Sequence, residues 1–104
     1  MEPLQRVTAP TCEVLQVLLD ADEPVWGLKI MSASGRPSGT IYPILDRLER
    51  SGWVRSEWEA DDARPGPRRR LYQLTDEGAP AAEALLRARA ESPPAPRPSR
   101  ARTG

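Results

Sequence analysis

Apolar residues recur along this chain with two different periods, and the change between them divides it. From Thr8 to Asp20, "TAPTCEVLQVLLD" carries Val14, Leu15, Leu18 and Leu19 at helical spacing, which predicts a first helix. Thr8 or Ala9 can cap it, Pro10 suits its first turn, and "ADEP" ends it. A short second helix is predicted over Val25–Ala33, with Trp26, Ile30 and Met31 facing inward and Gly35 as the stop. A third follows from Ser38, read as its cap, to Ser51. Ile41, Leu45 and Leu48 form its buried stripe with Ile44 beside them, and Thr40, Tyr42, Pro43, Asp46, Arg47 and Arg50 take the other faces. Pro43 is near enough to the start to cost little, and Gly52 closes the helix.

The period then drops to two. "WVRSEWE" puts Val54, Ser56 and Trp58 on one side and Trp53, Arg55 and Glu57 on the other, and "RRRLYQLT" aligns Arg70, Tyr72 and Leu74. The Pro/Gly-rich "ADDARPGP" between them predicts a two-stranded ribbon with a long connection. "TDEGAPAAEALLRARAE" returns to helical spacing. Thr75 is read as its cap, and Ala82, Leu85, Leu86 and Arg89 make a thin apolar face. Residues 1–8 have no period and form an N-terminal arm. Residues 92–104, "SPPAPRPSRARTG", lack apolar content and are expected to be disordered. The order α-α-α-β-β-α makes the chain mainly α with a small β-hairpin, and the commonest fold of that order is the winged helix-turn-helix, here over residues 9–91.

Composition narrows the chemistry. The 104 residues make one small domain, and they include no His and a single Cys. The commonest general base is therefore missing, along with the commonest metal ligand. Cys12 alone builds neither a thiolate metal site nor an intramolecular disulfide, and reads as a packing residue. With no nucleophile–base pair and no phosphate-cradling loop, the expectation is not an enzyme, with no catalytic residue, metal or cofactor. No apolar run is long enough to span a membrane and no signal segment opens the chain, so the expected location is the cytoplasm.

Net charge is zero, but the charges are segregated. Arg64, Arg68, Arg69 and Arg70 form a basic block, and Lys29 is the only Lys among fifteen basic residues. Arginine suits phosphate and guanine contacts. A helix projecting from a trihelical core fits the ~12 Å major groove of duplex DNA. The N-terminal end of the third helix presents Ser38, Gly39, Thr40, Tyr42 and Pro43, small or flat residues that let the backbone approach base edges. Arg36 precedes that end and Arg47 follows it. Arg68, Arg69 and Arg70 at the wing base are placed for a flanking phosphate or the minor groove, though alternation along a strand lets at most two of them face the DNA. Trp26, Trp53, Trp58 and Tyr72 are read as packing residues, and Tyr42, opposite the apolar stripe, as a DNA contact.

"GRPSGTIYPILDRLERSGWVRSEWE" and "GPRRRLYQLTDEG" resemble the DNA-binding domain of PadR-like transcriptional regulators over roughly residues 12–90. The most specific parts are "GTIYPIL.RLE..GW" and "RRRLYQLT.EG". The resemblance implies repression of a nearby promoter, with Ser38, Thr40, Tyr42, Pro43 and Arg47 at the DNA surface and Arg68 and Arg69 on the wing. It also implies a homodimer held by the last helix, residues 75–91, often joined by the first. The dimerisation residues would then be Val14, Leu18, Ala82, Leu85, Leu86 and Arg89. The stretch from Gly27 to Tyr42 is shorter than in many members, so the second helix is expected to be trimmed. Shorter members often bind small aromatic or drug-like effectors between their dimerisation helices, whereas the fourth helix here is Ala-rich and has no Trp, Tyr or Phe. Winged helices also dock on proteins. Neutral charge and an acidic first wing strand suit that alternative, in which a phage or accessory protein grips a host factor without specific DNA binding.

Overall fold

The computed structural model describes residues 1–4, 6–60 and 64–91, with Glu91 by its backbone alone. The tail expected over 92–104 lies outside the described residues, as do Asp61 and Asp62 of the wing loop. The elements in chain order are α1 (Ala9–Asp20), β1 (Val25–Trp26), α2 (Gly27–Ser34), α3 (Ser38–Arg50), β2 (Val54–Trp58), β3 (Arg70–Leu74) and α4 (Gly78–Glu91). This is the winged helix-turn-helix arrangement, with one strand more than the hydrophobic pattern predicts.

The extra strand is β1. The expected start of the second helix, Val25 and Trp26, instead pairs antiparallel with β3, Val25 opposite Tyr72 and Trp26 opposite Leu71. Two residues are too few to show a period of two, and their partner lies more than forty positions away, so nothing local announces the strand. The sheet order is β1-β3-β2, a three-stranded sheet rather than a ribbon.

Caps and turns fix the helix ends. The Thr8 hydroxyl accepts from the Thr11 amide at 3.3 Å, and Pro10 lies in the first turn of α1. Gly35, in the left-handed region at φ +74°, donates its amide to the Met31 carbonyl and stops α2. Ser38, expected to cap α3, is already its first helical residue. The cap is extended Pro37, whose carbonyl accepts from the amides of Thr40 and Ile41, both at 3.0 Å. A proline with helix-compatible φ holds that carbonyl in place without any side-chain oxygen. α4 starts at Gly78, three residues after its expected cap. Thr75 still does the work, its hydroxyl accepting from the Gly78 amide at 2.9 Å and donating to the Gly52 carbonyl at 2.7 Å.

Thirteen apolar residues from the helices, the sheet and the turn before β2 make one core, with Val14, Leu15, Ile30, Ile41, Leu45 and Ala82 fully buried at its centre. Val25 on β1, Val54 on β2 and Tyr72 on β3 close it from the sheet side. Each buried Val, Leu or Ile contributes about 1.5–3 kcal/mol relative to leaving it exposed, so these side chains rather than the surface ion pairs hold the three helices together. Trp53 is buried just ahead of β2. Its indole N–H donates to the Glu2 carbonyl at 2.6 Å, and the Glu2 amide donates to Ser51 at 2.8 Å. The N-terminal arm is thereby fastened across the α3–β2 junction, with Leu4 against the core.

Candidate nucleic-acid interface

The sheet register sorts the wing arginines. Direct partners across an antiparallel ladder share a face, and Trp58 pairs with Arg70 as Ser56 pairs with buried Tyr72. The core-facing side of the sheet therefore runs outward past the hydrophobic core into Trp58, Arg70 and, two residues back, Arg68. The Arg70 and Arg68 guanidiniums lie 5.2 and 6.0 Å from the centre of the Trp58 ring, within reach of a cation–π attraction. Trp58 is 54% exposed. Expected to pack in the core or at the wing, it lies at the wing, an apolar plate with arginines beside it.

Arg69 leaves the chain on the alternate side and has other partners. Its guanidinium stacks on Trp26 at 3.5 Å from the ring centre, and its amide donates to Glu59 Oε1 at 3.1 Å. Arg64 meets the same Glu59 oxygen at 2.8 Å and also donates to the Pro65 and Pro67 carbonyls. Arg69 and Arg64 thus tie the wing loop to the sheet. Of the three arginines expected at the DNA, Arg69 is the one stacked on Trp26 and bonded to Glu59, although it lines the same groove as Arg68 and Arg70.

The exposed N-terminal turn of α3 lies beside the wing. Ser38, Gly39, Tyr42, Pro43 and Arg47 are exposed and Thr40 is half-buried, while Ile41, Ile44, Leu45 and Leu48 fill the core. Tyr42, 43% exposed, lines a groove of about 550 Å³ with Trp26, Trp58, Tyr72 and Arg68 to Arg70. Glu49, further along α3, accepts from the Ser56 hydroxyl at 2.6 Å and approaches Arg70 at 3.9 Å, so the helix and the wing are linked directly. Burial pushes the Tyr72 hydroxyl pKa above its ordinary value, despite the nearby Arg70 charge.

Arg36 is engaged elsewhere. It forms a two-bonded pair with Glu13 of α1, Nε to Oε1 at 2.8 Å and Nη2 to Oε2 at 3.0 Å. The fork geometry fixes the turn before α3 to the first helix, so Arg36, expected at the DNA, is held by Glu13 in this structure. These bonds from Arg36 hold the Glu13 carboxyl below its ordinary pKa, against a smaller opposing effect of burial. A carboxylate with a lowered folded pKa stabilises the fold above its unfolded pKa and loses that contribution as pH falls through the folded value. Glu13→Gln should therefore unfold at lower urea than the parent at pH 7, with the gap closing below about pH 4. A gap that persists in acid would assign the loss to packing and not to the ion pair.

The residues expected at a dimer seam separate into two sets. Val14, Leu18 and Ala82 are buried in the subunit's own core and have no area left for a partner. Leu85 and Leu86 are half-buried on α4, and Arg89 reaches back to the Val7 carbonyl at 3.4 Å. The fully buried positions could not be told from seam positions in the sequence, because both are apolar at helical spacing. Cys12, half-buried with its thiol pKa raised by burial, matches its reading as a packing residue.

A family model described as the transcriptional regulator PadR-like family matches residues 14–84, well over half of the chain. The chain belongs to the PadR-like family of transcriptional regulators. It is similar to the solved structure of a PadR-like transcription factor from Bacteroides fragilis, with 26% identity and a TM-score of 0.61 over 78% of this chain and 80% of that one. It is also similar to AbfR of Staphylococcus epidermidis, with 31% identity and a TM-score of 0.67 over 85% of this chain and 56% of that one. PcaV, a transcriptional regulator from Streptomyces coelicolor solved with its natural ligand, matches with 27% identity and a TM-score of 0.66 over 84% of this chain and 60% of that one. Comparison with curated protein sequences gives no match. As a PadR-like regulator, the chain is a DNA-binding transcriptional regulator of a family that is generally not enzymatic. Among the described residues, no helix is long and apolar enough to cross a membrane.

Sequence reasoning missed Gly27 and Trp58 as members of this surface. Gly27 is buried beneath Tyr42, a contact between two helices that no local pattern encodes. Trp58 had a signal in principle. It ends a strand whose partner at that level is Arg70, and a bulky ring opposite an arginine lies beyond the core.

Proposed function

We propose that this PadR-like regulator is a cytoplasmic, dimeric repressor that lays α3 in a major groove and rests its wing on the flanking DNA. The observation that carries the reading is the shared surface of the exposed first turns of α3, with Tyr42, and the Trp58, Arg68 and Arg70 group of the wing. Ser38, Gly39 and Thr40 let the backbone come close to base edges, and the free amides of a helix start favour phosphate. Arg68 and Arg70 supply charge for the backbone, and Tyr42 supplies a hydroxyl and a flat apolar face for a base edge. The partial exposure of Leu85 and Leu86 on α4 supports dimerisation through that helix. Two subunits would then read half-sites about one helical turn apart, ~34–36 Å. Bound in this way across a promoter, the dimer would exclude polymerase.

The test is fluorescence anisotropy across a salt series, on a duplex that the protein itself selects from a randomised pool, followed by footprinting. Two protected half-sites one turn apart, retained at physiological salt, are expected. Tyr42→Ala should weaken binding to the selected duplex roughly five- to ten-fold, the equivalent of one hydrogen bond and its packing, and should relax the selected sequence. Unchanged affinity and unchanged sequence preference would remove Tyr42 from the interface. Weak binding to every duplex that vanishes with salt would leave only counterion release, and would reject the specific regulator.

A further inference from the structure

We infer that Gly27 is a positioning residue for DNA recognition: it provides the floor on which the Tyr42 ring is seated. Gly27 is the first residue of α2, with Trp26 as the cap, and it is buried. A Cβ built at position 27 would overlap the Tyr42 hydroxyl, and would lie 2.6 Å from Cζ and 2.8 Å from Cε1. The hydroxyl oxygen and these two ring carbons are the nearest neighbours of that point, and all belong to Tyr42. The hydroxyl end of the ring therefore rests on the bare backbone at the start of α2, while the side chain as a whole stays 43% exposed. Helix α2 sets the height and tilt of a side chain on α3, and it does so only because position 27 carries no side chain.

The backbone gives no other reason for glycine here. Positive φ values occur among the described residues only at Gly35, Gly52 and Gly66. Gly27 is ordinary helix, where alanine has the higher intrinsic propensity. The overlap is with the far end of a half-exposed ring, which can swing outward without disturbing the core. A methyl group at position 27 thus displaces Tyr42 and leaves the fold intact. An interface side chain held in one place by its neighbours binds better than one that must be ordered on contact. Losing the seat should cost about as much as losing the tyrosine.

The inference rests on the reading of Tyr42 as a DNA contact, and a double-mutant cycle separates the two. Gly27→Ala, Tyr42→Ala and the double variant are compared with the parent on the duplex selected by the parent, by anisotropy at one salt concentration and by thermal melting. Gly27→Ala should melt at or above the parent temperature and bind roughly five- to ten-fold more weakly. The double variant should bind no more weakly than Tyr42→Ala alone, because the seat has no value without its occupant. Parent-like binding by Gly27→Ala beside a weakened Tyr42→Ala would overturn the positioning role alone. So would a loss that adds in full to that of Tyr42→Ala, or a lowered melting temperature, either of which assigns Gly27 to packing. Parent-like binding by Tyr42→Ala would instead reject the contact itself, and the positioning role with it.

Discussion

Gly78→Ala should destabilise the protein by about 3 kcal/mol, lowering the melting temperature by on the order of 10–20 °C. Gly78 opens α4 against the end of the α3–β2 turn. A Cβ there would overlap the Trp53 carbonyl oxygen, and would lie 2.8 Å from the Trp53 carbonyl carbon and 2.9 Å from the Thr75 hydroxyl oxygen. None of these can give way cheaply. The Trp53 amide donates to Leu48 at 2.9 Å, its carbonyl accepts from the Thr75 amide at 3.0 Å, and its indole is tied to Glu2. The Thr75 hydroxyl is already shared between the Gly52 carbonyl and the Gly78 amide. Helix propensity alone favours alanine over glycine, so a loss isolates the steric contact. Gly39→Ala, where a Cβ meets nothing within 4 Å, is the matched control and should melt no lower than the parent. Equal melting temperatures for the two variants would show that α4 can shift away from the turn, and the tight junction would be wrong.

Gly27 and Gly78 both open helices, and the sequence gives no means of telling them apart. Their difference lies in what faces them, a ring at the surface in one case and a backbone carbonyl at a junction in the other. Information of that kind is long-range, and it marks where sequence reading succeeded and failed. The helical stripes of Val14, Leu15 and Leu18, and of Ile41, Leu45 and Leu48, were legible because burial repeats every turn within one segment. The shift to alternation at Val54 was legible for the same reason. β1 was not, since Val25 and Trp26 become a strand only when Tyr72 and Leu71 arrive beside them. The candidate site divides along the same line. Tyr42 opposite the apolar stripe could be read from α3 alone. The stacking of Arg69 on Trp26, the exposure of Trp58 and the Glu13–Arg36 pair depend on partners brought by the fold. Alternation limited the DNA-facing wing arginines to two of three, and the ladder register adds that Arg70 lies across from Trp58.

That sorting leads to the second large effect. Arg68→Ala with Arg70→Ala should weaken binding to every duplex, on the order of 10- to 50-fold at physiological salt, and flatten the slope of log affinity against log salt by roughly 2. Each phosphate neutralised releases about one counterion, so two lost contacts remove about two units of slope whatever the base sequence. Sequence preference should remain, because the α3 residues that meet the bases are untouched. Arg69→Ala is the informative comparison. Its guanidinium covers Trp26 at 3.5 Å from the ring centre and its amide is bonded to Glu59, so its loss should lower thermal stability and change the salt slope less than the loss of the other two. The opposite pattern, with the slope falling for Arg69→Ala and holding for the Arg68 and Arg70 pair, would mean that the DNA backbone meets Arg69 on Trp26 and not the arginines beside Trp58. Trp58 would then be an exposed ring with no part in binding, and the surface joining α3 to the wing would lose its claim to be the interface.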